Sequence, residues 1–274
     1  MSGPLVAGVQ TLAYDGFDYL EGGVAAGAAT GFGWANAWGE SGDAGDDPSE
    51  LIIGPGSFPL PPGFSPTAGN HVDLNRQTGY RRITRRMAQT LGGGSGQIEH
   101  MFSVVLDCGP GSGVDYAGVE LSHSAGGQVI FIGKPPGAGP GDVGQIGMDV
   151  HGQGFTGTGV GASGQKLLLL RWAPNEDGPD DVTLLVLNAS TGATLGSTSR
   201  SFDASFDQIT MVARRDLGFG DAIPAFDEIR ATTGEVQTNT LTVASLFPSG
   251  GVQIDVFPAD VNGAASGSTS FERS

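Results

Sequence analysis

The chain has 274 residues, a formal net charge of −16, 48 glycines and 16 prolines. That balance excludes a basic nucleic-acid-binding face, and no run reaches the eighteen or so apolar residues of a membrane-spanning helix. The glycines follow no three-residue period, which excludes collagen, and the single cysteine, Cys108, excludes an intrachain disulfide.

Taken in chain order, the first strand-like segment is 13–19, short, apolar-aromatic and acidic. The stretch 20–38 is interrupted by glycines at 22, 23, 27, 31 and 33, each costing about 1 kcal/mol in a helix, and reads as a loop. An acidic and then Pro-rich excursion covers 39–66 around a strand at 50–53, with a second at 71–74. Arginines 81, 82, 85 and 86 follow; on a strand, Arg81 and Arg85 share one face and Arg82 and Arg86 the other. Further strands are predicted at 97–107, 115–123, 128–132, 145–150, 166–172, 181–188, 207–214 and 225–230, punctuated by Gly, Pro, Asn or Asp.

Val182-Leu184-Val186 alternates with Thr183-Leu185-Leu187, which predicts a strand apolar on both faces in the middle of a two-layer structure. Two more strand-like runs, 240–247 and 252–257, precede a Gly/Ser-rich, mobile tail. No window has helical periodicity and no repeat of fixed period occurs. The expected class is all-β, with the acidic segments 13–19 and 225–230 pairing to close one sheet.

The order of motifs carries a resemblance. The matching residues are Tyr14-Asp15-Gly16-Phe17-Asp18-Tyr19, Gly31-Phe32-Gly33-Trp34 with Trp38, Tyr116-Ala117-Gly118-Val119-Glu120-Leu121 and Phe131-Ile132-Gly133-Lys134-Pro135. They continue with Asp181-Val182-Thr183-Leu184, Phe206-Asp207-Gln208-Ile209 and Phe226-Asp227-Glu228-Ile229-Arg230. In this order, across about residues 12–235, the chain resembles the concanavalin A-like, laminin-G-like jelly-roll domains of bacterial secreted and surface proteins. The resemblance implies a two-sheet antiparallel β-sandwich, usually non-catalytic and often carbohydrate-binding. It implies a jelly-roll domain over 1–235 and an extension over 236–274 with two short strands and a tail. It also suggests a structural calcium where the last strand meets the first, with Asp227 and Asp18 (or Asp15) as the carboxylates, since calcium favours six to eight oxygen ligands.

No glutamate begins the Glu-x-Asp-x-x-Glu pattern of glycosidases on such sandwiches. Arg81, Arg82, Gln97, His100 and Tyr116 can be assembled into the Arg-Gln-His-Tyr set of alginate lyases, but their local motifs differ. The chain is therefore expected not to be an enzyme. For ligand binding, Arg81 and Arg85 match the carboxylates or sulfates of an anionic polysaccharide, against a charge-blunted edge strand that pairs with the chain's own aspartates. Trp34 and Trp38 lie in a Gly-rich loop where stacking on sugar rings is one reading and core capping the other.

Two functional classes follow. One is an extracellular carbohydrate-binding or adhesive sandwich. The other is a structural component of a cell surface or filament that self-associates through strand edges, with a polysaccharide-degrading enzyme as a lesser alternative. The acidic composition suits a secreted or surface location, although residues 1–4 do not read as a signal peptide.

Overall fold

A computed structural model describes residues 10–22, 30–39, 51–61, 64, 69–74, 79–92, 98–109, 116–126, 129–136, 144–215, 223–235, 241–243, 253–255, 266–268 and 271–273. The chain divides into two compact units, Met1–Glu235 and Val236–Ser274. In the first, the strands are β1 (Gln10–Asp15), β2 (Leu51–Gly54), β3 (His71–Leu74), β4 (Gly79–Gly92), β5 (Ile98–Asp107), β6 (Tyr116–Ser122) and β7 (Ile130–Lys134). They continue with β8 (Gln145–Val150), β9 (Gly154–Gly161), β10 (Gln165–Trp172), β11 (Asp180–Asn188), β12 (Thr194–Phe202), β13 (Ser205–Arg215) and β14 (Ala225–Glu235).

Among the described residues there is no helix, and these strands form two antiparallel sheets, as the sequence predicts. The eight-stranded sheet runs β12-β11-β10-β5-β14-β3-β2, with β1 also on β14, and the six-stranded sheet runs β4-β13-β6-β7-β8-β9. The first and last strands of the unit meet: Tyr14 pairs with Arg230 and Asp15 with Ile229.

One edge of β14 takes β3 at Ala225 and Phe226, then β1 beyond residue 228. The changeover coincides with an irregularity in the pairing of β14 with β5, between Asp227 and Arg230. There Glu228 adopts a left-handed backbone (φ 54), a conformation costing a non-glycine residue about 1–2 kcal/mol.

The core lies between the sheets. Phe102, Val104, Leu168, Leu170, Val182 and Leu184 from one face Val119, Leu121, Ile132, Met148, Ile209 and Met211 from the other, all fully buried. Alternation of buried residues along these strands puts one face of each into this layer.

The doubly apolar β11 has a different explanation from the one predicted. It lies next to the edge strand β12 rather than mid-sheet. Its outward Leu185 and Leu187 join Val105, Leu167 and Leu169 beneath Phe58, Leu60 and Phe64. Phe58, Leu60 and Phe64 of the Pro-rich excursion thus pack on the outer face of the eight-stranded sheet.

Residues 30–39 close one side of the sandwich. Tyr14 and Phe32 exchange backbone hydrogen bonds of 3.0 and 3.1 Å, tying the segment to β1. Thr84 and Gly39 exchange bonds of 2.9 and 3.1 Å, and Ala35 N–H donates to the Arg86 carbonyl (2.9 Å), tying it to β4. The arginine-bearing strand is thus at the end of its sheet, and this segment occupies its edge.

The second unit contains β15 (Leu241–Val243), β16 (Gln253–Asp255), β17 (Ser266–Ser268) and β18 (Phe271–Arg273). β15 pairs antiparallel with β18, and β16 with β17. The stretch expected to be a plain tail therefore contributes two of these strands.

Candidate functional site

The structure brings Arg85, Trp34 and Trp38 together, but away from solvent. Arg85 projects from β4 into the core at 1 % exposure and pairs with the Asp15 carboxylate, itself at 0 %. Its Nε donates to the Asn36 carbonyl (2.9 Å) and Nη2 to the Thr30 carbonyl (3.1 Å). The guanidinium carbon stands 4.7 Å from the Trp34 ring and 5.7 Å from that of Trp38.

Asp15 also accepts from Trp38 Nε1 (2.9 Å), the Tyr19 hydroxyl (2.8 Å) and Phe17 N–H (2.9 Å). Burial pushes the Asp15 pKa up, opposed by Arg85 and these donors. Burial and the neighbouring Asp15 raise Tyr19 to about 12, keeping it a donor.

Sugar contact by Arg85 and Trp38 is therefore corrected: Arg85 is covered by residues 30–39, and Trp38, within that segment, is turned into the core. Trp34, half-buried, donates to the Tyr14 carbonyl (2.9 Å) and belongs to the same cluster. Arg81 pairs with Ala213 through its backbone; its side chain lies outside the described residues.

Asp227 is fully buried and already surrounded by donors. Ser57 Oγ (2.9 Å) and Phe58 N–H (2.7 Å) reach one carboxylate oxygen, and Glu228 N–H (2.8 Å) the other. Burial raises its pKa to about 7 against the pull of these bonds. Glu228 beside it pairs with Arg230 (2.6 Å) and accepts from the Tyr14 hydroxyl (3.3 Å).

Asp18 is exposed, and among the described residues no group of three or more His, Cys, Asp or Glu is arranged to hold a metal. A carboxylate whose lone pairs are taken up by N–H and O–H donors has little left for calcium, which needs six to eight oxygen ligands. Asp227, both of whose oxygens already accept protein hydrogen bonds, does not fit the calcium centre expected there.

A different site forms on the outer face of the six-stranded sheet, where strand register builds two ranks. In one, Glu120 on β6 stands opposite Phe131 on β7, Phe131 opposite Asp149 on β8, and Asp149 opposite Phe155 on β9. In the other, Gly118, Gly133, Gly147 and Gly157 align across the same strands.

The glycine rank lets rings lie against bare backbone. A Cβ on Gly118 would overlap the Phe131 ring, and one on Gly147 the Phe155 ring. Tyr116 stacks on Phe131 with centroids 4.7 Å apart and planes at 17°.

A cavity of about 420 Å³ opens here, lined chiefly by Tyr116, Glu120, Phe131, Pro136, Asp149 and His151. It falls within the roughly 300–1,000 Å³ of small-molecule sites. Glu120 is held by the Arg82 guanidinium and by the Tyr116 hydroxyl (3.4 Å).

The Arg-Gln-His-Tyr set, discounted from the sequence for its motifs, is only partly assembled. Arg82 and Tyr116 meet at Glu120, whereas His100 stacks on Trp172 (5.6 Å). Gln97 lies outside the described residues. Sequence reasoning missed Asp149 and His151. The signal available was a glycine at an outward position in each of β6, β7 and β8, legible once those strands are aligned.

No protein-family model matches the chain, and no curated protein matches it. Among solved structures, it is similar to endo-1,3-beta-glucanase from Streptomyces sioyaensis, with 11 % identity, 86 % of this chain and 100 % of that chain covered, and a TM-score of 0.48. The exoplasmic/lumenal domain of VIP36 in its Ca2+/Man2-bound form matches at 9 % identity over 62 % of this chain and 77 % of its own (TM-score 0.42). Endo-beta-1,4-glucuronan lyase from the fungus Trichoderma reesei matches at 11 % identity over 74 % and 92 % (TM-score 0.40).

The likeness is one of fold, the concanavalin A-like jelly-roll sandwich. The expectation that the chain is not an enzyme is corrected by the same comparison. A glucanase and a lyase share this sandwich type, so the fold gives no ground for excluding catalysis. At these identities it gives none for assigning it.

Proposed function

We propose that the chain binds a glycan in the groove on the outer face of the six-stranded sheet. The observation that carries this reading is the pair of ranks. Rings packed on a glycine floor, flanked by Glu120, Asp149, His151 and the Tyr116 hydroxyl, combine an apolar surface with a few convergent polar groups, the composition of sites for polar small molecules. Sugars present apolar ring faces and a hydroxyl rim, which such a surface complements. We infer a secreted or cell-surface location, where such glycans occur; the acidic, lysine-poor composition supports it.

Titration calorimetry with neutral, amino and uronic oligosaccharides tests the reading. Binding of at least one series at millimolar concentration or below, weakened fivefold or more by Glu120→Gln and by His151→Ala, is the expected result. Absence of binding to every series overturns it.

A second reading, cleavage of the bound chain, has one observation in its favour. Glu120 and Asp149 stand on either side of β7, with backbones about 9.5 Å apart. Glycoside hydrolysis uses two carboxyls flanking the scissile bond. Release of reducing ends from a bound polysaccharide, lost in Glu120→Gln, supports it; intact chains after prolonged incubation remove it.

A further inference from the structure

We propose that the groove selects a cationic glycan, one bearing free 2-amino groups, with the Asp149 carboxylate as the partner of the ammonium. This rests on the groove being the glycan site, and it reverses the charge expected of the ligand from the arginine cluster.

The two acids of the groove are not equivalent. Glu120 is neutralised by Arg82 and receives the Tyr116 hydroxyl. The Asp149 side chain has no hydrogen bond or ion pair among the described residues, although it stands at the cavity wall. Its register neighbours are Phe131 on one side and Phe155 on the other. Phe131 lines the cavity with it, and a carboxylate beside an aromatic ring suits an ammonium, which gains a charge-assisted hydrogen bond from the acid and cation–π attraction from the ring.

Among the described residues the cavity lining contains no lysine or arginine. A uronic or sulfated chain would bring its negative groups to Asp149 without a countercharge. The net charge of −16 acts in the same direction over longer range, concentrating cations and repelling polyanions.

The ligands for the test are the tetramers of glucosamine, of N-acetylglucosamine and of glucose, titrated at physiological salt so that long-range attraction is screened. We expect the free-amine tetramer to bind at least tenfold tighter than the other two. Asp149→Asn should remove that preference, lowering the free-amine tetramer to within about twofold of the two neutral tetramers in the same variant. Asp177→Asn, which removes the same charge from an exposed turn outside the groove, should leave the preference unchanged.

Equal affinity for the amine and neutral tetramers, or equal losses in Asp149→Asn and Asp177→Asn, overturns the cationic selection and leaves the groove as a glycan site. Binding of none of the three overturns the selection too, and points to failure of the groove reading itself. Retained thermal unfolding of Asp149→Asn verifies that the variant is folded.

Discussion

Two acidic regions of the sandwich use carboxylates in opposite ways. At the closure, where β1 meets β14, Asp15, Asp227 and Glu228 are all buried, and every one of them is met by protein donors or an arginine. On the outer face of the six-stranded sheet, Asp149 stands half-buried at a cavity wall without such a partner among the described residues. Buried charge must be compensated internally, whereas charge at a cavity wall retains capacity for a ligand. The difference shows that burial and saturation, rather than residue type, separate acids that hold the fold from acids available for binding.

The largest expected effect breaks the closure. Arg85→Ala leaves Asp15 buried and uncompensated and should cost about 3–5 kcal/mol in denaturant unfolding. A loss below about 1 kcal/mol would mean that water or another cation reaches Asp15.

Asp227→Ala strips acceptors from Ser57, Phe58 and Glu228 and should cost roughly 2–3 kcal/mol by the same measurement. In the intact protein this group also sets a pH dependence. Folded Asp227 keeps its proton up to about 7, whereas the unfolded residue loses it near 4. The folded state therefore holds the extra proton between those values, and stability from this group falls as pH rises through that window. The difference in unfolding temperature between the wild type and Asp227→Ala, followed from pH 4 to 8, should narrow with rising pH.

On the groove side the effects are smaller. Gly147→Ala drives a methyl into the Phe155 ring and the Thr156 carbonyl and should cost about 1–3 kcal/mol. Asp149→Asn should stay within about 0.5 kcal/mol of wild type, as expected where no internal partner is lost. A loss comparable with that of Asp227→Ala would erase the contrast between the two regions. Smallest of all, millimolar calcium against excess EDTA should leave the unfolding temperature unchanged, because donors surround the Asp227 carboxylate.

Much of the fold was legible because its central strands carry their own signal. The apolar runs of β5, β6, β8, β10, β11 and β13 and the matching ends of β1 and β14 identify a closed two-sheet sandwich. The strands β9 and β12 escaped notice. Phe155 to Gly161 and Leu195 to Ser201 are rich in Gly, Ser and Thr, since each lies at a sheet edge with few inward positions to fill.

The candidate site was much less legible. Arginine and tryptophan in a glycine-rich context read as exposed ligand contacts, yet residues 30–39 fold over Arg85 and carry Trp38 into the core with them. Asp149, an isolated acid in sequence, acquires its meaning only from neighbours on β7 and β9. Local pattern reports burial along one strand, while a binding face is a property of several strands in register.

The aligned glycines at 118, 133, 147 and 157 have a consequence for redesign. The Phe131 ring that lines the groove lies against the backbone of Gly118 and Gly133, so its level is set by side chains that are missing, and a larger residue at either glycine would displace the ring. Ligand preference can instead be retuned at the polar lining positions Tyr116, Glu120, Asp149 and His151, and a combinatorial library confined to those four would spare the glycines on which the rings rest.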